Sequence, residues 1–226
     1  MRVFKYMMVD FLKVKKKLFI FLILVPAFGA WMGMGKGNTE VSFVFALSYC
    51  MFAGIIMAGL PYQYEKAEEN GFLYMLPGKT QEQVFGHFLF GFACMLMGYL
   101  LGILCGGIGF LLRPQESFFS MGELSGFSDF IHVSFLLLGA GLLVVTVQDL
   151  LCTIFQFESV QVMNLMRILP GFLFFFGGMI FMEGGADRGM EALTFLYRHS
   201  AMFFLACVLI FLVVAYIGGR IATGRE

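Results

Sequence analysis

Gly78-Lys79-Thr80 has the form of the closing residues of a phosphate-binding loop. Such a loop cradles phosphates with backbone N–H groups, and it needs another glycine five positions before the Gly-Lys pair. Leu73 stands there and Pro77 comes directly ahead, so the triplet reads as a cytosolic turn with an exposed lysine. The chain is therefore expected to bind no ATP by itself. Adjacent carboxylates at Glu68 and Glu69 could serve acid–base or metal chemistry. No arginine follows within several residues and no histidine-bearing span completes a site, so they read as a solvated helix face. No Gly-x-Ser-x-Gly elbow and no His-Glu-x-x-His pattern occurs. His87, His132 and His199 each fall near the end of a different apolar run, as do Asp149 and Glu183. Their ordinary role there is interfacial hydrogen bonding. Few ionisable groups lie in the middle of any run, and intramembrane charge is the usual mark of ion-coupled transport.

The elements that would position these residues are set by composition. Of the 226 residues, 60% are hydrophobic and 13% charged. Soluble domains carry roughly 45–50% apolar and about 25% charged residues. Too little polar surface exists to cover a water-soluble particle, so lipid is the expected solvent. The expected fold is all-α and polytopic: one transmembrane domain over residues 1–226, with six spans and both termini cytosolic.

The spans read as Leu18 to about Met34, Val41–Leu60, Val84–Leu112, Phe130–Val147, Ile168–Met182 and His199–Gly219. Between them lie polar stretches, including Tyr62–Gln83 and Gln148–Arg167. The third is unusually long and must tilt or project beyond the bilayer. Residues 1–17 place Val3, Phe4, Met7, Met8, Phe11 and Leu12 at helical spacing among lysines, the pattern of a helix lying in the membrane interface. A cleaved signal peptide is the competing reading of this leader. The membrane character of everything downstream favours a retained anchor.

Lys36, Arg113, Arg188 and Arg198 fall in the expected outer loops, leaving eleven of the fifteen Lys and Arg residues inside. This positive-inside bias sets the orientation in a cytoplasmic-type membrane. Cys50, Cys94, Cys105, Cys152 and Cys207 lie in or beside apolar runs without CxxC spacing. They are expected to be buried free thiols rather than a disulfide framework or zinc site. Gly98, Gly102 and Gly106 recur at four-residue spacing, a stripe that lets helix backbones approach closely. Packing within the chain and a seam between two chains are equally served by it.

The connector after the second span is the most informative segment. Glu65, Lys66, Glu68 and Glu69 form a charged turn, Phe72, Leu73 and Leu76 an apolar ridge, and Pro77 stops it. A short cytosolic helix of this kind is a docking element for a partner; the alternative is a helix resting on the membrane surface.

At this loop the chain resembles the permease subunits of ABC exporters of the ABC-2 class. Those six-span subunits are similar in length, have an amphipathic leader, and carry in this loop an acidic–basic pair, a Leu-Pro dipeptide and then Val-x-Gly-Lys. Glu65-Lys66, Leu76-Pro77 and Val84-x-Gly86-His87 occupy the matching places. Thr80 stands where an arginine is common and His87 where a lysine is common; these departures bear on the salt bridges such cations would make. The residue-level resemblance covers about Glu65–His87.

The resemblance implies a permease that pairs with a second permease, identical or related. A separate cytosolic ATPase would hold ATP and magnesium, seat the Glu65–Leu76 segment as a coupling helix and drive substrate outward. The permease itself would be neither an enzyme nor a cofactor-binding protein. A self-contained secondary carrier or channel is the alternative, and a membrane-embedded enzyme is less favoured.

Overall fold

The computed structural model describes residues 2–33, 39–62, 80–111, 127–155, 161–162, 165–166, 168–172 and 195–223. Their named elements are all α-helices: α1 (Arg2–Gly33), α2 (Thr39–Ala58), α3 (Thr80–Leu111), α4 (Phe127–Ile154) and α5 (Ser200–Thr223). Within α3, α4 and α5, Thr80–Cys105, Ile131–Ile154 and Ser200–Thr223 are long and apolar enough to cross a membrane. Their backbone polar groups are satisfied inside each helix, which is what lipid demands.

Side-chain contacts fix the direction of each helix. Gly86 meets Tyr6 and Met7, Phe90 meets Phe11, and Cys105 Sγ lies 3.5 Å from the Pro26 carbonyl, so α1 and α3 run parallel and in step. Gly54 meets Cys94 while Gly102 meets Leu47, which makes α2 and α3 antiparallel. Gly91 meets Asp149 and Gly141 meets Met95, so α4 also runs against α3. His132 meets Ser200 and Gly139 meets Phe203, which makes α4 and α5 parallel neighbours.

α3 touches every one of the other four helices and is the axis of the bundle. Phe88, Phe90, Cys94 and Met95 of α3 are buried on its two sides, against α1 and α2 on one and α4 and α5 on the other. Large apolar side chains stay exposed on α1 (Phe19, Ile20, Ile23, Leu24) and α5 (Met202, Leu205, Leu209, Val213). In water such faces would be a liability; against acyl chains they are the expected surface. All five cysteines are buried thiols outside any disulfide.

Two sequence expectations need correction. The leader was expected to be a separate interfacial helix ending near residue 17, but α1 is continuous from Arg2 to Gly33. The reason is its buried stripe: Tyr6, Asp10, Val14, Phe21 and Val25 follow helical spacing straight past Lys15–Lys17, which are exposed. The stripe packs on α3 throughout, so the leader continues the first span instead of turning away from it. Pro26 sits inside this helix; it has no N–H to donate, and the carbonyl left unbonded one turn earlier is tolerated among neighbouring helices.

The second correction concerns α4, expected to end at Val147 but continuing to Ile154. Gln148 and Asp149 read as connector because they are polar. In the structure both are fully buried, and Gln148 Nε2 donates to the Ile55 carbonyl of α2 at 3.0 Å. Thr146 and Thr153 donate to carbonyls four residues back, at 2.6 and 2.8 Å, which hides their hydroxyls within the helix.

Candidate functional site

The start of α1, the end of α2, the start of α3 and the end of α4 meet at one end of the bundle. Each contributes a polar side chain to a buried cluster there. Asp10 comes from the buried stripe of α1, Tyr62 from just beyond α2, His87 from the second turn of α3, and Asp149 and Thr153 from α4. None is more than 3% exposed.

His87 Nδ1 lies 2.7 Å from Asp10 Oδ2, short for an N–H···O bond and typical of a charge-assisted one. Lys13, one helical turn after Asp10, brings Nζ to 3.9 Å from the other carboxylate oxygen. The ring of Tyr62 lies over that of His87 with centroids 4.8 Å apart and planes tilted by 42°. Its hydroxyl is 3.4 Å from Thr153 Oγ1 and 3.5 Å from the Asp149 carbonyl, long and weak contacts that still orient the phenol toward α4.

Asp149 is the odd member. Its carboxyl oxygens have no hydrogen-bond partner among the described residues, although it lies within electrostatic reach of His87 and Asp10. A Cβ at Gly91 would stand 2.6 Å from Asp149 Oδ2, so a larger residue there would force this side chain to shift. The arrangement joins four helix ends by polar contacts at a depth where such groups are costly. Among the described residues it offers no nucleophile–base pair, and what it can do is hold the helices together through hydrogen bonds.

The residues expected to dock a partner, Glu65, Lys66, Glu68, Glu69, Phe72, Leu73, Leu76 and Pro77, lie outside the described residues. Their flanks do not: Tyr62 lies in the polar cluster, and Thr80 begins α3 two helical turns before His87. Gly98 and Gly102 face α2, where added Cβ atoms would overlap the backbone of Cys50 and Leu47. Gly106 lies on α3 near its far end. His132 Nδ1 bonds Ser200 Oγ at 2.7 Å, and His199 Nδ1 lies 3.0 Å from the Phe195 carbonyl, both at the opposite end of the bundle.

Sequence reasoning gave no role to Asp10, Tyr62 or Thr153, and placed His87 and Asp149 at span ends without joining them. One signal was available for Asp10. It is the lone acidic residue among the first 39, set on the apolar stripe of a lysine-rich helix. A carboxylate in that position needs a buried partner. The departure from lysine at His87 also does not abolish a charge-assisted contact, since the imidazole takes up Asp10.

A bundle of long apolar helices with a buried polar cluster at one end is the architecture of an integral membrane protein. Residues 7–219 match the family described as ABC-2 family transporter protein, nearly the whole chain, and the protein belongs to that family. No curated protein matches the chain, and no solved structure does.

Proposed function

We propose that this chain is the permease subunit of an ATP-driven exporter, resident in the cytoplasmic membrane and paired there with a second permease. A separate cytosolic ATPase engages the 63–79 segment and supplies the energy. The observation that carries this reading is where that segment is rooted. Its two flanks emerge at the end of the bundle that also holds the start of α1, with Lys5 and Lys15–Lys17 exposed, and the end of α5 with Arg220. By the positive-inside rule this end is cytosolic, the side on which an ATPase operates. Membership of the ABC-2 family supports the same division of labour.

The helix directions support the six crossings of this reading. α4 and α5 run parallel, so the chain has to travel back between residue 155 and residue 200. Gly171 and Phe172 rest on Phe52 of α2, midway along the bundle, where a return leg would pass. Both termini then face the cytosol.

Affinity purification from native membranes tests the reading. An ATP-hydrolysing chain should accompany the protein, and ATP should be required for transport in reconstituted vesicles. Transport by the purified chain alone, driven by an ion gradient, would instead establish a self-contained carrier.

A further inference from the structure

Membership of a transporter family explains neither why Asp10 is buried nor what it holds. Tyr62 is the last described residue before the 63–79 segment, and its ring packs on His87 of α3 at 4.8 Å. His87 in turn holds Asp10 of the leader at 2.7 Å. Among the described residues, the titratable groups around this chain of contacts include Lys13 on α1, Tyr62 beyond α2, Cys94 on α3 and Asp149 on α4.

Apolar side chains would pack these helices without the desolvation cost that a buried pair carries. What a polar contact adds is a defined geometry: it holds one arrangement and resists sliding. We propose that Asp10, His87 and Tyr62 are positioning residues that tie the leader half of α1 to the root of the 63–79 segment. Displacement of that segment then moves α1 and α3 as one body. The inference rests on the reading that an ATPase pushes the segment, but its mechanical half concerns this chain alone.

The two halves are tested separately. In the first, backbone hydrogen exchange is followed over residues 2–17 of the full chain in lipid nanodiscs. Wild type is compared with H87L, H87K, D10N and the swapped pair D10H/H87D. Exchange should rise about tenfold in H87L and D10N, the size expected from losing a buried charge-assisted contact. It should stay within roughly threefold of wild type in H87K and the swapped pair, which restore opposite charges. An equal rise in all four variants, or in none, means that packing alone holds the leader, and the proposal falls. D10N changes almost no volume and carries the test should H87L fail to fold.

In the second, ATP and vanadate are added to the complex with the co-purifying ATPase. Protection over 2–17 and 80–87 should change together in wild type, and only over 80–87 in D10N. A leader that still responds in D10N overturns the transmission role while leaving the docking reading intact. A wild-type chain that retains no ATPase overturns the docking reading, an outcome visible before any variant is made.

Discussion

His87 on α3 and Asp10 on α1 are 77 residues apart in the chain and 2.7 Å apart in the bundle, with under 5% of either side chain exposed. The pair fastens a lysine-rich leader to the central helix. Removing one partner leaves the other buried without its mate, the costly half of the asymmetry between losing one member and replacing both. Interhelical hydrogen bonds in membranes average only about 0.6 kcal/mol, whereas broken buried charge pairs cost about 3–5 kcal/mol in soluble proteins. Asp10→Ala should therefore destabilise the bundle by about 1–3 kcal/mol. Unfolding in mixed micelles measures it, and the double variant D10L/H87L should recover part of the loss.

The contact between α2 and α3 is backbone on backbone. A Cβ at Gly54 would stand 2.5 Å from the Cys94 carbonyl oxygen, and one at Gly102 would be 2.7 Å from the Leu47 Cα. Backbone cannot swing aside as a side chain can. Gly98→Leu and Gly102→Leu should each force the helices apart at a cost of about 3 kcal/mol or more, the upper range for overpacking. Loss of the folded monomer peak in size-exclusion chromatography reads the effect. If instead the variants stay folded but no longer self-associate, the stripe serves a contact between chains.

Gly91 separates α3 from Asp149. Alanine there would meet Asp149 Oδ2 at 2.6 Å and Val145 Cγ1 at 2.9 Å. Gly91→Ala should destabilise the bundle by about 1–3 kcal/mol. Asp149→Ala removes the nearer obstacle, so a double-mutant cycle should show a coupling of roughly 1 kcal/mol in the compensating direction. Additive effects would mean that Val145 is the limiting contact.

These contacts also show which features were legible in the chain. The limits of α2, α3 and α5 lie within a few residues of those expected, because unbroken apolar runs leave little choice of where a helix can sit in lipid. The glycine stripe announced a close approach on α3 but could not name α2 as the partner, since spacing on one helix says nothing about its neighbour. Polarity misled at the end of α4. Gln148 and Asp149 look like loop residues until Ile55 and Gly91 from other helices come up against them. The leader misled in the same way, because its lysines are conspicuous and the stripe from Tyr6 to Val25 is spread thinly between them. The Asp10–His87 contact was beyond reach, since pairing across 77 residues is decided by how α1 packs on α3.

Phe72 and Leu76, apolar residues of the 63–79 segment, are proposed to seat in the ATPase. An aspartate in an apolar docking pocket is a desolvated charge without a partner, worth about 2–5 kcal/mol of lost binding. Phe72→Asp and Leu76→Asp should lower co-purification of the ATPase at least about tenfold by the same arithmetic. The bundle itself should keep its unfolding midpoint. ATPase retention at the wild-type level would place the docking surface elsewhere.

Orientation can be read with single introduced cysteines, because all five native thiols are buried and should contribute little background labelling. Glu68→Cys and Asn164→Cys should react with a membrane-impermeant maleimide only in inverted vesicles, where the cytosolic face is outward. Lys36→Cys, Glu116→Cys and Arg188→Cys should react only in intact cells. The decisive comparison is Asn164 with Arg188. Parallel packing of α4 and α5 brings His132 and Ser200 together at one end, while Phe155 marks the other. Labelling of positions 164 and 188 from opposite sides would place a crossing between them, as the parallel pair requires. Labelling of both from the same side would remove that crossing, and with it the cytosolic position of one chain terminus.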